Sequence, residues 1–193
     1  MTKMLVFILV VAFWVVTGFA ATQGTFVDNR DGKKYRTVKI GSQTWMAENL
    51  NYKAQDSYCY EDKDSSCSKH GRLYKWNAAK NACPSGWHLP SKVEFETLFE
   101  SVGGTQLASK SLTSRNGWAI RGNGMDAFGF SALPVGCRGP NGNYDLEGYG
   151  APFWSSTEYD SDNAYNMYLR YSSAGDIQYG DKGYGFSVRC VKE

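Results

Sequence analysis

Two stretches of helical spacing stand between two long runs of strand-and-turn sequence, and that order constrains the chain more than any other feature. Ser91 with Glu94 three residues on forms a capping box. Val93, Phe95, Leu98, Phe99 and Val102 supply the apolar stripe behind it, and Gly103-Gly104 ends the helix. Upstream, Leu73, Trp76 and Ala79 in GRLYKWNAAKNA predict a short helix over 71–82, stopped by Pro84. A weaker pattern suggests a further helical stretch over 106–112. Glu94, Glu96 and Glu100 are expected to face water.

Before these helices the period is two. FVD, a turn at Asn29-Arg30-Asp31-Gly32, the alternating run Tyr35 to Ile40, a second turn at Gly41-Ser42-Gln43 and Thr44 to Ala47 predict a three-stranded meander. Residues 51–71 read as an irregular polar loop stapled by Cys59 and Cys67. After Gly117, GFSALPVG, PFWSSTE, AYNMYLRY, GDIQYGDK and YGFSVRCVKE read as strands between Gly, Asn and Asp clusters. In the last, Phe186, Val188 and Cys190 alternate with Ser187 and Arg189, the pattern of a half-buried strand. Strands, helices, then strands is an α+β order, with no βαβ alternation to build a parallel doubly wound sheet. No repeat or low-complexity linker divides the chain, so a single domain is expected over 21–193.

Lys3, the apolar run Met4 to Val16 and the small residues Gly18 and Ala20 predict a signal peptide over 1–20. Its apolar run is too short for a bilayer core of about 30 Å. No later segment is apolar enough to span, so the mature chain is expected to be secreted, periplasmic or at the cell surface. With 21 basic against 19 acidic residues the formal charge is +2, which gives no electrostatic drive toward nucleic acid.

The segments FVDNRDGKKYRTVKIGSQTWMAENLNY, GRLYKWNAAKNACPSGWHLPSKVEFETL, FGFSALPVG, FWSSTE and GFSVRCVKE occur in that order. Together they resemble the Fibrobacter succinogenes major paralogous domain family over residues 26–193. The resemblance implies a C-type-lectin-like fold with two short helices, a mainly antiparallel sheet and long irregular loops closed by a disulfide. Cys83 bonded to Cys190 would make that closure, worth about 4 to 5 kcal/mol on the chain-entropy model. Cys137 is then left over, either as a buried thiol or as an intermolecular linker.

Residues 139–184 carry the functional signal, because 24 of these 46 residues are Tyr, Ser, Gly or Asn. That mixture suits recognition: tyrosine brings a flat apolar face at little entropic cost, and the small polar residues supply adaptable hydrogen bonds. Trp154, Tyr159, Tyr165, Tyr168 and Tyr171 could stack on sugar rings or on a surface protein. Trp154, inside FWSSTE, also suits a core, whereas Tyr149 and Tyr159 lie in turn-rich stretches that suit a surface. Glu158, Asp160, Asp162 and Asn163 in EYDSDN are oxygen ligands at a spacing that could hold calcium. The Glu-Pro-Asn and Trp-Asn-Asp signatures of sugar-binding C-type lectins are missing. His88 is read as a structural hydrogen-bonding residue. No G-x-S-x-G, H-E-x-x-H or Walker motif occurs. The expectation is a non-catalytic domain that binds extracellular polysaccharide and needs no cofactor beyond a possible calcium. A protein-binding adhesin or envelope module is the alternative, and an oxidase like the formylglycine-generating enzymes, which share the fold and use paired cysteines with copper, is third.

Overall fold

A computed structural model describes residues 22–119, 122–170 and 174–193; the expected signal peptide lies outside the described residues. The predicted meander is present as β1 (Gln23–Val27), β2 (Lys34–Ile40) and β3 (Gln43–Met46). Its strands run antiparallel, with Val38 opposite both Gln23 and Trp45. The first turn is fixed by Asp28, whose buried carboxylate accepts the backbone N–H and the guanidinium of Arg30. Gly32 completes it with a φ of 74°, a left-handed geometry that costs glycine nothing.

Two more strands complete this first sheet. The C-terminal β13 (Val191–Lys192) lies between β3 and β6 (Trp87–His88), giving the order β1-β2-β3-β13-β6. The second sheet contains β4 (Ser57–Tyr58), β5 (Leu73–Tyr74), β9 (Gly150–Glu158), β10 (Asn163–Arg170), β11 (Asp176–Asp181) and β12 (Phe186–Ser187), in the order β11-β10-β9-β12-β5-β4. Among the strand pairings of the described residues β12–β9 alone is parallel, with Ser187 opposite Phe153. A small hairpin, β7 (Cys137–Arg138) with β8 (Tyr144–Asp145), forms a third sheet, bridged from Arg138 to Gly185 just before β12. The architecture is α+β with mostly antiparallel sheets.

The described residues hold the two expected helices, the weaker one suggested over 106–112, which forms over Thr105–Leu112, and one that was not expected, Asp64–His70. α1 (Asp64–His70), α2 (Trp76–Ala79), α3 (Lys92–Ser101) and α4 (Thr105–Leu112) are all formed. α1 lies in the stretch read as irregular loop. Its sequence DSSCSKH buries only Cys67, so no apolar stripe announced it, and the Cys59–Cys67 disulfide ties it down. The helix predicted over 71–82 contracts to α2, because Leu73 and Tyr74 pair as strand with β12 and β4. α3 begins at the predicted capping box, and both of the box's reciprocal hydrogen bonds are made. Glu94 does not face water as expected: its carboxylate accepts from the Ser91 backbone N–H and lies 2.7 Å from Nε2 of His88.

Two strand expectations also change. GFSALPVG forms no strand; it makes an isolated bridge at Ala132, and Ser131 adopts a φ of 54°. The C-terminal run splits into β12 and β13, because residues 188–190 cross from one sheet to the other. The Leu50 N–H bonds the Val188 carbonyl and the Met46 N–H bonds the Cys190 carbonyl along the way. Ser187 and Arg189, expected on a solvated face, are therefore buried with their neighbours. Cys190 sits in this crossover and is bonded to Cys83, 107 positions earlier, so the disulfide closes the domain as the resemblance implied.

The core follows from these layers. α3 packs Phe95, Leu98 and Phe99 with Trp45 of the first sheet and Phe153 and Met167 of the second. A second cluster gathers Trp76, Trp154, Phe186 and Cys190 beneath α2.

Candidate functional site

The tyrosine-rich segment is divided between core and surface. β9 and β10 are covered on both faces where Phe153, Trp154 and Tyr168 lie, so these rings enter the core, whereas Tyr149, Tyr159 and Tyr179 stay exposed. Trp154 has no exposed surface: its Nε1–H donates to the Tyr74 carbonyl at 2.8 Å and its ring lies 4.2 Å from that of Phe186. Tyr168 is 8% exposed, packed over Gly150 and under the Arg170 guanidinium. These two leave the candidate set, since a ring sealed by the core has no face to offer a ligand. Tyr171 lies outside the described residues. Tyr149 is exposed in the turn before β9.

Tyr159 and Tyr165 are brought together, and a third ring joins them. Tyr165 and Tyr179 are directly opposite across β10 and β11. Tyr159, entering the β9–β10 turn, stacks flat on Tyr179 with ring centroids 3.9 Å apart and planes 1° apart. It meets Tyr165 edge-on at 5.4 Å and 87°. A β-bulge between Ala164 and Asn166 shifts the register next to this cluster, the kind of irregularity that re-aims a side chain. Tyr159 is 47% and Tyr179 53% exposed, so each stacked ring still turns surface to water. The Lys92 ammonium, at the first turn of α3, lies 5.5 Å from the Tyr165 ring centre. The nearby Tyr179 phenol pushes the Tyr159 phenol above its ordinary value of 10.0, so it remains a neutral hydrogen-bonding group.

Tyr179 was within the segment read as the recognition face but was not singled out. Its place beside Tyr165 depends on the register of β10 against β11, which no turn motif in the sequence fixes.

The proposed calcium ligands take other partners. Asp160 Oδ1 accepts the backbone N–H groups of Asp162 and Asn163 and the Asn163 amide, which closes the turn. Those hydrogen bonds, with Lys182 nearby, hold its carboxyl below the ordinary value despite the opposing effect of desolvation. The Lys182 ammonium collects Glu158 Oε1 at 3.1 Å and the carbonyls of Asp160 and Ser161 at 2.8 Å each. A lysine cation thus sits among the donors expected to surround a metal. Among the described residues no group of three His, Cys, Asp or Glu side chains converges as a metal site.

Cys137 is buried and unpaired, and burial, with Asp145 adding to it, pushes its thiol up to about 11. Of the two alternatives the fold shows the buried thiol; an intermolecular linker would need this residue, 5% exposed, at the surface.

The model of the Fibrobacter succinogenes major domain matches residues 38–192, most of the chain. This chain belongs to the Fibrobacter succinogenes major domain family. No curated protein and no solved structure gives a significant match. The family match runs from the end of β2 through β13 and so includes the tyrosine cluster, both disulfides and the crossover at residues 188–190.

Proposed function

We propose that this Fibrobacter succinogenes major domain is a secreted or cell-surface binding module, C-type-lectin-like in fold and non-catalytic. It holds extracellular carbohydrate on the face formed by Tyr159, Tyr165 and Tyr179. The observation that carries the reading is the half-exposed stack of Tyr159 on Tyr179, which presents flat apolar rings with polar groups at their edge. Such faces suit the C–H side of a sugar ring, while the phenols and the Lys92 ammonium supply hydrogen bonds at the rim. Two disulfides fit an oxidising compartment. Among the described residues no helix is long and apolar enough to cross a membrane. The site works without a resident metal on this reading, with Lys182 bracing the turn that carries Tyr159.

A second reading uses the same face for protein, making the domain an adhesin or envelope module. What favours it is that β11, which carries Tyr179, is the edge strand of its sheet. The oxidase reading has less support: Cys83 and Cys190 are bonded to each other, and Cys137 is buried without a second thiol.

The test is retention of the oxidised protein on a panel of insoluble and soluble polysaccharides, with calcium and with chelator in parallel. Selective retention that survives chelator supports the proposal. Absence of retention on every glycan moves the face to a protein partner, and retention only with calcium would restore EYDSDN as a metal loop.

A further inference from the structure

A second recessed site lies between β2 and the C-terminal end of α1. It is a cleft of about 320 Å³ whose lining includes Lys33, Lys34, Arg36, Lys69 and Arg189 against a single carboxylate, Glu48. Glu48 is engaged by Arg36 at 3.2 Å, and Lys33 by Asp31 at 2.9 Å. Lys34 and Lys69 have no ion-pair partner among the described residues, and both are exposed at the rim.

Beneath the floor is an unusual charge. Arg189 has no exposed surface, and its guanidinium makes no ion pair among the described residues. It donates instead to neutral acceptors: Asn49 Oδ1, the Phe130 carbonyl and the Ser131 carbonyl. Desolvation lowers it to about 9, which still leaves it protonated at neutral pH. Asp126 and Glu48 offset this charge from a distance without pairing with it, and a buried cation in direct contact only with neutral acceptors projects positive potential into the nearest opening, where the low-dielectric wall screens it weakly. On the cleft wall His70, whose side chain is 10% exposed, keeps a buried Nδ1 with no hydrogen-bond partner. Asn49, Asn51, Ser68 and Ser131 add amide and hydroxyl groups to the same lining. In a chain whose total charge is only +2, this concentration of cations over neutral polar groups is local and specific.

We propose that this cleft binds the carboxylate-bearing sugar unit of an acidic polysaccharide, a uronate, with Lys34 and Lys69 holding the carboxylate over the Arg189 floor. The neutral polar groups would take the sugar hydroxyls. The volume is at the small end of ligand pockets, which fits one monosaccharide unit. Arg189 acts through its field rather than by contact, since it exposes no surface to the cleft. This inference does not rest on the tyrosine face.

The test follows backbone amide shifts of the oxidised protein by NMR during titration with glucuronate, galacturonate, glucose and acetate. Uronates are expected to give saturable shifts at Asn49, Asn51, Lys69 and Gly71, weakened severalfold by raising the salt from about 50 to about 500 mM. Lys34→Ala combined with Lys69→Ala, both exposed positions, is expected to weaken uronate binding about tenfold, with the unfolding midpoint unchanged. Tyr159→Ala is expected to leave these shifts within twofold, which separates this cleft from the stacking face. Equal response to glucose would overturn the proposal, as would equal response to acetate or full uronate binding by the double variant. Absence of saturable shifts would overturn it as well.

Discussion

At the residue scale, the same amino acid has opposite roles depending on the face it occupies. Tyr159→Ala removes a ring that is half in water, so it is expected to cost less than about 1 kcal/mol of stability. The same change is expected to weaken glycan retention about tenfold. Trp154→Ala removes a sealed ring and its hydrogen bond to Tyr74, so it is expected to cost about 3 to 5 kcal/mol. Chemical denaturation of the two variants beside the parent checks both. Cys137, with its thiol pushed up to about 11, is expected to resist alkylation at neutral pH until the protein is unfolded. Mass-counted labelling with and without denaturant measures this, and rapid labelling of the native protein would contradict the burial described.

At the scale of elements, the capping box of α3 does two jobs. It satisfies the start of the helix, and through His88 it ties α3 to β6 of the first sheet. Burial alone would raise the Glu94 carboxyl above its ordinary 4.5, but hydrogen bonds from Ser91 and His88 outweigh burial and lower it. A depressed carboxylate gives stability that is fully present above its unfolded value of 4.5 and is lost as pH falls through its lower folded value. Glu94→Gln should therefore shrink the loss of stability below about pH 4.5, and Ser91→Ala should cost about 1 kcal/mol at neutral pH. Thermal melts from pH 3 to 7 read both effects.

The two disulfides differ in the same way. Reduction of Cys59–Cys67, eight positions apart, is expected to loosen α1 alone, whereas loss of Cys83–Cys190 releases the crossover that joins the sheets. Hydrogen exchange of Cys67→Ser and Cys190→Ser variants distinguishes a local from a global effect.

Element recognition from sequence worked where one periodicity governs a whole stretch. The Phe26–Leu50 meander and α3 announce themselves because turn chemistry, capping and apolar spacing agree there. It failed where tertiary contacts override local pattern. α1 is held by a disulfide rather than by an apolar stripe, Leu73 and Tyr74 are recruited into a sheet, and Arg189 is buried because its strand changes sheets.

At the scale of the molecule, the chain ends by threading residues 186–192 through both sheets, so β9 is joined to β5, and β3 to β6, through the last few residues. The α+β class was readable from the order of periodicities. The candidate site was half readable. Composition pointed to residues 139–184, but which rings reach water depends on the register of β9, β10 and β11, and that register placed Tyr179 beside Tyr159 while burying Trp154 and Tyr168.

The most direct measurement is affinity electrophoresis, in gels containing the best-retained polysaccharide, of the parent protein, Tyr159→Ala, Tyr179→Ala and the double variant. The account predicts that each single variant loses most of the retardation and that the double variant loses little more, because the two rings act as one stacked platform. Unchanged retardation of the double variant, with its fold intact by circular dichroism, would contradict it.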